Sequence, residues 1–278
     1  MTQREKRKNG FTLIELIIVI VLLGIVGAMG AGFISSAFKG FFDTDARMEM
    51  YEEGKTALVR MEREIHIAVP NAVDVSIAGD TISFGVIDET AMTGVFGQYM
   101  EEHPTDTKTI TDQTAPLPVI NPQYPILHTL ISIYNTTWED FAVTANNRVY
   151  NIITPAIPPL DPKTMTLDRN IGPASPYGRY YAVRPEAVRF SVANGVLSRS
   201  TATVTAGSNL GGFGGAQTLA QHVQQAIDPI TSNPIHYFTY EPGTSARNSV
   251  VVIHFAIHRT ETDETVNFHK EIQIRNVP

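Results

Sequence analysis

One carboxylate, that of Glu15, lies inside the apolar segment formed by residues 11–38. A charged carboxylate within a membrane span costs on the order of 2.5–3.5 kcal/mol at the bilayer centre and less near its edge. An acidic residue in such a position therefore predicts a cationic partner. The chemistry available to Glu15 is ion pairing in an apolar environment.

A basic cluster and a glycine precede this segment. Gly10 directly precedes Phe11, and the cluster consists of Arg4, Lys6, Arg7 and Lys8. Positive charge beside a span favours the cytoplasmic side of a membrane. We therefore predict a cytoplasmic N-terminus and a body on the opposite side.

The segment that carries Glu15 is long enough to cross a bilayer as a helix. At about 1.5 Å per residue, residues 11–38 would extend over roughly 42 Å, which exceeds the ~30 Å of the hydrocarbon core. A cleavable secretory signal fits poorly, because its apolar region has only about 7–15 residues. A plain membrane anchor has the right length but does not explain Glu15.

Four glycines within this segment, Gly24, Gly27, Gly30 and Gly32, leave two interpretations open. Each glycine costs about 1 kcal/mol in a helix relative to alanine, so the helix could melt or stretch locally. Small residues also let two helices approach closely, so these positions could pack against a neighbouring helix.

Helical periodicity continues over residues 39–70 and predicts an amphipathic helix. Pro70 predicts its end. We expect the apolar stripe to pack on the body and the charged face to be available to other subunits. The stripe consists of Met48, Tyr51, Leu58, Met61, Ile65 and Val69.

The body, residues 71–278, is predicted to be mainly antiparallel sheet. Three hairpins are indicated by alternating strands around turn residues: 73–77 with 81–86, 187–192 with 196–200, and 250–258 with 266–274. Further strands are predicted at 127–134, 179–183 and 236–240, and a short helix at 219–227. One helix followed by such strands predicts an α+β fold.

Residues 88–175 differ from the rest of the body. They are rich in proline, threonine and asparagine and show no sustained period. We interpret them as a large surface insertion, either a decorated loop or a variable face for contacts with other subunits.

No catalytic site and no cofactor are predicted. The chain has no cysteine, which excludes disulfides and a thiol nucleophile. The glycine-rich residues 207–217 lack the glycine order and the lysine of a nucleotide-binding loop. No motif places a nucleophile beside a base, so the chain is not expected to be an enzyme.

No metal site is predicted either. His254, His258 and His269 lie on the last predicted hairpin, with His254 and His258 on one face of one strand, but no zinc motif includes them. The acidic turn at Asp263 and Glu264 is too short for a calcium loop.

The body is acidic. The first ten residues carry four basic and one acidic side chain, a net charge of +3, whereas the whole chain carries −7, so the other 268 residues carry −10. Binding to nucleic-acid phosphates requires a basic face, so this charge argues against a nucleic-acid partner.

The sequence KNGFTLIE, residues 8–15, followed by about twenty apolar residues, resembles the class III signal of type IV pilins and type II secretion pseudopilins. The resemblance implies that residues 1–10 are a leader and that a prepilin peptidase cleaves between Gly10 and Phe11. The same enzyme, a methyltransferase, would N-methylate Phe11. Glu15 would then pair with the amine of Phe11 in a neighbouring subunit during assembly.

The resemblance also implies the pilin fold, in which a long N-terminal helix spans the membrane with its first half and packs on an antiparallel sheet with its second. The implied partners are other minor and major pilins, an inner-membrane assembly platform and the lipid bilayer. The implied location is the bacterial inner membrane before assembly, and afterwards a surface pilus or a periplasmic pseudopilus.

Two further segments narrow the resemblance. EREIHIAVPNAVDV, residues 62–75, and HKEIQIRNVP, residues 269–278, resemble the MshO minor pilins of the mannose-sensitive haemagglutinin (MSHA) type IV pilus. This implies a structural subunit at or near the pilus tip that helps to initiate assembly. The alternatives are a J-type minor pseudopilin of type II secretion, a DNA-uptake minor pilin and a membrane-tethered enzyme.

Overall fold

One long helix is followed by fourteen strands and one helical turn in the part of the chain that the computed structural model describes. The described residues are 11–88, 98–99, 107–111, 130–154, 164–173, 175–176, 178–243 and 247–274. The helices are α1 (Leu13–His66) and α2 (Glu139–Ala142). The strands are β1 (Ala68–Val75), β2 (Thr81–Ile87), β3 (Gln98–Tyr99), β4 (Thr109–Thr111), β5 (Leu130–Ile133), β6 (Val149–Thr154), β7 (Thr164–Leu167), β8 (Arg179–Ala193), β9 (Val196–Thr203), β10 (Gly214–Ala220), β11 (Val223–Gln224), β12 (Phe238–Glu241), β13 (Ser249–Arg259) and β14 (Glu264–Ile274).

The chain divides into two compact units, Met1–Glu49 and Met50–Pro278. The described residues of the first unit, apart from Phe11 and Thr12, are the first part of α1, and their apolar side chains are exposed. The second unit contains the last part of α1 and all the strands.

The strands of the second unit form two sheets. A ten-stranded sheet has the order β1-β2-β8-β5-β6-β7-β4, with β3 and β9 also paired to β8 and β10 paired to β9. A four-stranded sheet has the order β11-β13-β12, with β14 paired to β13. The pairings between described strands are antiparallel. The predicted α+β architecture, which is consistent with the pilin fold, is confirmed.

The last part of α1 packs on both sheets and supplies one face of the main core. Its buried residues are Met50, Gly54, Ala57, Met61 and Ile65. The predicted stripe is right at Met61 and Ile65 but wrong at Met48, which is exposed, whereas Tyr51 is half exposed and its ring stacks on Phe268 of the body. The prediction relied on large apolar side chains. In the structure, the helix approaches the sheet closely through two small residues, Gly54 and Ala57.

The closest approach is at Gly54. A Cβ atom added there would lie 2.2 Å from Cζ of Phe268. The Phe268 ring stacks on Phe255, with centroids 4.8 Å apart, and on Tyr51, with centroids 6.3 Å apart. The ring is thus held against the helix backbone by aromatic neighbours on two elements.

The charged face of this part of α1 also contacts the body. Glu64 pairs with Arg199 at 2.7 Å, and Glu62 pairs with Lys270 at 2.9 Å. The carboxylate of Glu53 accepts a hydrogen bond from the backbone N–H of Gln221 at 2.7 Å. Three acids predicted to be available to other subunits are therefore engaged within the same chain.

The predicted helix end at Pro70 is wrong. The helix ends at His66, and Pro70 lies within β1. The register of β1 with β2 shifts between Ala68 and Val73, and Asn71 in this stretch has φ +59°. Proline is tolerated in a strand at such an irregularity, because no ladder donor is needed there. Val69 is buried, but as a strand residue.

The three predicted hairpins are confirmed. The second closes through Asn194 and Gly195, whose φ values of +51° and +73° match the left-handed turn that Asn-Gly favours. The predicted helix at 219–227 is wrong. Its residues belong in part to β10, which pairs with β9, and to β11, which pairs with β13.

The insertion predicted at 88–175 contributes strands to the large sheet. β5 pairs with β8, β6 pairs with β5 and β7, and β4 pairs with β7. The strand predicted at 127–134 corresponds to β5. Residues 89–97, 100–106, 112–129 and 155–163 lie outside the described part, so the prediction of a surface-contact face there stays a prediction.

A buried asparagine joins the insertion to the loop before β10. The amide nitrogen of Asn147 donates to the carbonyls of Phe141, at 3.2 Å, and Ser208, at 3.0 Å. Its amide oxygen accepts from Arg169 at 3.0 Å and from the backbone of Val149 at 2.9 Å. Only 8% of Asn147 is exposed, so water is a poor substitute for these partners.

Replacing Asn147 with alanine should lower the free energy of unfolding of the body by about 1–3 kcal/mol, because buried donors and acceptors lose their partners. Urea unfolding followed by circular dichroism measures the change. The matched control is Asn146→Ala, since Asn146 is the exposed neighbour. Equal effects of the two substitutions would contradict a structural role for the Asn147 network.

Candidate assembly site at the N-terminus

Thr12 starts the helix that carries Glu15. The Thr12 carbonyl accepts hydrogen bonds from the backbone N–H groups of Glu15, at 3.1 Å, and Leu16, at 3.2 Å. The Thr12 hydroxyl also accepts from the Glu15 N–H at 3.4 Å. The bonds from Glu15 satisfy a donor that a helix start leaves without a partner, and the bond from Leu16 is the first regular bond of the helix. Thr-x-x-Glu is the spacing of a capping box, a signal that the sequence analysis missed.

The Glu15 carboxylate lies in the first turn of α1 and is exposed. The carboxylate contacts the Thr12 hydroxyl, which donates to Oε2 at 3.5 Å. Within the described residues no ion pair involves this carboxylate. Negative charge is favoured near a helix N-terminus, so the position suits an anion while leaving oxygen atoms available to a cation from outside.

Phe11 immediately precedes this turn and is 79% exposed. Gly10 and the basic cluster Arg4, Lys6, Arg7 and Lys8 lie outside the described residues. The structure therefore places Phe11 and Glu15 on either side of the helix start, and cleavage at Gly10–Phe11 stays a prediction.

The first part of α1 exposes a continuous apolar surface. Side chains from Leu13 to Phe38 are exposed on all sides, and the helix is long and apolar enough to cross a membrane by length and composition. An all-round apolar helix without cover from its own chain requires a lipid environment or other apolar helices. Glu15 lies near one end of this surface.

The helix is continuous through Gly24, Gly27, Gly30 and Gly32. A Cβ atom added at any of these positions would meet nothing within 4 Å among the described residues. Packing within the chain therefore does not require the glycines, and the space beside them is open to a neighbouring helix.

The N-terminal segment matches a family model. Residues 6–31 match the prokaryotic N-terminal methylation motif. This segment is a type IV pilin-like class III signal. The match covers the signal and not the body, and no curated protein and no solved structure matches the chain.

The class III signal supports a pilin-like or pseudopilin-like protein, and proteins with this motif are generally structural rather than enzymatic. The signal implies processing by a prepilin peptidase and assembly with other pilins. Together with the apolar helix, it fits a single-pass protein anchored in the inner membrane.

The other candidate site residues lie on the hairpin of β13 and β14: His254, His258, Asp263, Glu264 and His269. His254 lies next to His269 on the adjacent strand, whereas His258 contacts Thr265. No three His, Asp or Glu side chains converge on one point in the described ranges. Asp263 occupies the turn before β14 with φ +54°, a conformation that short polar side chains tolerate.

Proposed function

We propose that the chain is a structural minor pilin of an MSHA-like type IV pilus. In this proposal a prepilin peptidase cleaves between Gly10 and Phe11 and methylates Phe11. The subunit is incorporated at or near the pilus tip and helps to initiate assembly. The observation that carries the proposal is the class III signal with an exposed carboxylate, Glu15, at the start of an exposed apolar helix.

Ion pairing explains how this arrangement favours assembly. A lone carboxylate and a lone amine are each costly in an apolar environment. When the Glu15 carboxylate of one subunit meets the Phe11 amine of the next, the two charges neutralise each other where low dielectric strengthens their attraction. Entry into a filament is then more favourable than residence of the single helix in lipid.

The two segments that carry the narrower resemblance are neighbours in the body. The segments 62–75 and 269–278, which resemble MshO minor pilins, lie together over their described residues. Glu62 pairs with Lys270 at 2.9 Å, and the His66 ring contacts the carbonyl of Gln273 through Nδ1 at 3.2 Å. Ile65 and Ile272 belong to the same core cluster. The resemblance thus falls on one structural feature, the junction of α1 and β14.

A J-type minor pseudopilin of type II secretion is the second candidate, because the same two segments resemble that group more distantly. The two functions differ in what fails when the gene is deleted. A minor pilin deletion reduces the number of surface pili, whereas a pseudopilin deletion retains secreted enzymes in the periplasm.

The decisive experiment combines deletion with localisation. We expect the deletion strain to have far fewer surface pili, and immunogold labelling of the restored protein to mark pilus ends. Intact-mass measurement of the purified subunit should give a chain that begins at methylated Phe11. Unchanged pilus number together with blocked enzyme secretion would replace the proposal with the pseudopilin function, and an unprocessed chain would contradict both.

A further inference from the structure

Two histidines face each other across the last hairpin. β13 and β14 are paired along their whole length, with His254 opposite His269. The backbone N–H of His254 donates to the carbonyl of Tyr237, so it points away from β14. His254 and His269 therefore form a non-hydrogen-bonded pair, the kind that brings opposing side chains closest together.

The two rings are within coordination distance of a common point. Nδ1 of His269 lies 3.1 Å from Nε2 of His254, and the ring centroids are 4.3 Å apart. Zinc binds imidazole nitrogen at about 2.0–2.1 Å, and two such ligands at coordination angles of about 90–110° are roughly 2.8–3.4 Å apart. The observed separation fits a metal ion held between the two nitrogens.

We propose that His254 and His269 form a two-histidine site for a divalent transition-metal ion such as Zn²⁺ or Cu²⁺, with the remaining coordination positions taken by water. The site lies on the outer face of the four-stranded sheet, where His269 is exposed and His254 is half-buried. It has fewer protein ligands than a structural zinc site, so the bound ion exchanges readily.

The surroundings of His254 favour the neutral, ligating form of its ring. Burial lowers the pKa of His254, and the neighbouring His269 lowers it further, against the opposing effect of the Glu271 carboxylate. A neutral imidazole has a free lone pair for a metal. Each ring can carry its one proton on the nitrogen that faces away from the ion, so binding to the neutral pair releases no proton.

Glu271 can support the metal-bound form of His269. Its carboxylate oxygen lies 4.0 Å from Nε2 of His269, the nitrogen that does not face His254. Metal-ligating histidines commonly direct their other N–H to a carboxylate, which fixes the tautomer. The third histidine of the hairpin lacks this arrangement, because Nδ1 of His258 lies 3.0 Å from the hydroxyl of Thr265.

The test uses the full-length chain in detergent micelles, without a histidine tag, and isothermal titration with ZnCl₂ and CuCl₂ at pH 7.5. We expect one ion per chain, with Cu²⁺ bound more tightly than Zn²⁺ and no binding of Mg²⁺, which prefers oxygen ligands. His269→Gln should weaken binding at least about tenfold, since removing a ligand exceeds the effect of removing an outer partner. The matched control, His258→Gln, should leave the affinity within about twofold.

Thermal unfolding provides a second measurement. Zn²⁺ should raise the Tm of the wild-type chain and of His258→Gln, but not that of His269→Gln or His254→Gln, because an ion that binds the folded state stabilises it. Circular dichroism without metal verifies that the variants are folded. Absence of binding by the wild-type chain, or equal weakening by His258→Gln and His269→Gln, would overturn the proposal.

Discussion

A chain in which valine replaces Glu15 should be cleaved and methylated normally but should be missing from filaments. Glu15 carries the one charged side chain of the apolar segment, residues 11–38. Without a partner, a carboxylate in lipid costs on the order of 2.5–3.5 kcal/mol at the bilayer centre and somewhat less near the edge, where Glu15 lies. Valine removes that cost from the single helix and removes the attraction to the next subunit. Since 1.4 kcal/mol corresponds to tenfold in an equilibrium, incorporation should fall at least about tenfold.

Two control variants distinguish the effect of the Glu15 charge from the effect of the hydrogen bonds at the start of the helix. Thr12→Val removes the hydroxyl that contacts Glu15 and keeps the carboxylate, so it should retain incorporation. Glu15→Asp keeps the charge on a shorter side chain and should incorporate better than Glu15→Val. The measurement is an immunoblot of sheared filaments and of membranes for the processed chain. Normal incorporation of Glu15→Val, or an equal loss with Thr12→Val, would contradict the ion-pair role.

Replacing Gly54 with valine should lower the free energy of unfolding of the body by about 3 kcal/mol, the upper end of the usual cost of overpacking. Even a Cβ atom at this position would lie 2.2 Å from Cζ of Phe268. The ring cannot move aside easily, because it stacks on Phe255 and Tyr51. Overpacking of this kind outweighs the roughly 0.5 kcal/mol that valine gains over glycine in a helix. Urea unfolding monitored by circular dichroism measures the loss.

The matched control is Gly40→Val in the same helix, where an added Cβ meets nothing within 4 Å. It should leave the unfolding of the body unchanged. A second test combines Gly54→Val with Phe268→Ala, which makes room for the new side chain. The double variant should be more stable than the sum of the two single effects predicts. Strict additivity would show that the Phe268 ring is not the source of the destabilisation.

Local signals in the sequence predicted the hairpins because the turn chemistry is local. Asn194-Gly195 has the backbone conformation that its residue types favour, and the closing hairpin follows its alternating pattern. Residues 219–227 were predicted as a helix because their polar and apolar residues fit that period too. Pairing with β9 and β13, which the local sequence does not encode, makes part of this stretch extended.

The candidate site also combines features that the local sequence predicts with features that only the folded structure shows. Glu15 and the Gly10–Phe11 pair were singled out from the sequence by their resemblance to the class III signal, and their roles stay predictions. The Thr-x-x-Glu spacing also predicts the helix cap formed by Thr12, but this prediction was missed. Gly54 could not be placed on the buried face, since only the packed structure shows Phe268 against it. His254 and His269 are opposite each other because of the register between β13 and β14, which the sequence does not show. The alternation along β13 alone placed His254 and His258 on one face instead.

The junction of α1 with β14 brings the beginning and the end of the body into one core. Met61 and Ile65 of the helix share a cluster with Phe268, Ile272 and Ile274 of the last strand. During synthesis, the last part of α1 therefore lacks this packing partner until β14 has been made. This core closes only after β14 has been synthesised, so a chain that terminates before β14 keeps part of its apolar face uncovered and is more susceptible to aggregation and proteolysis.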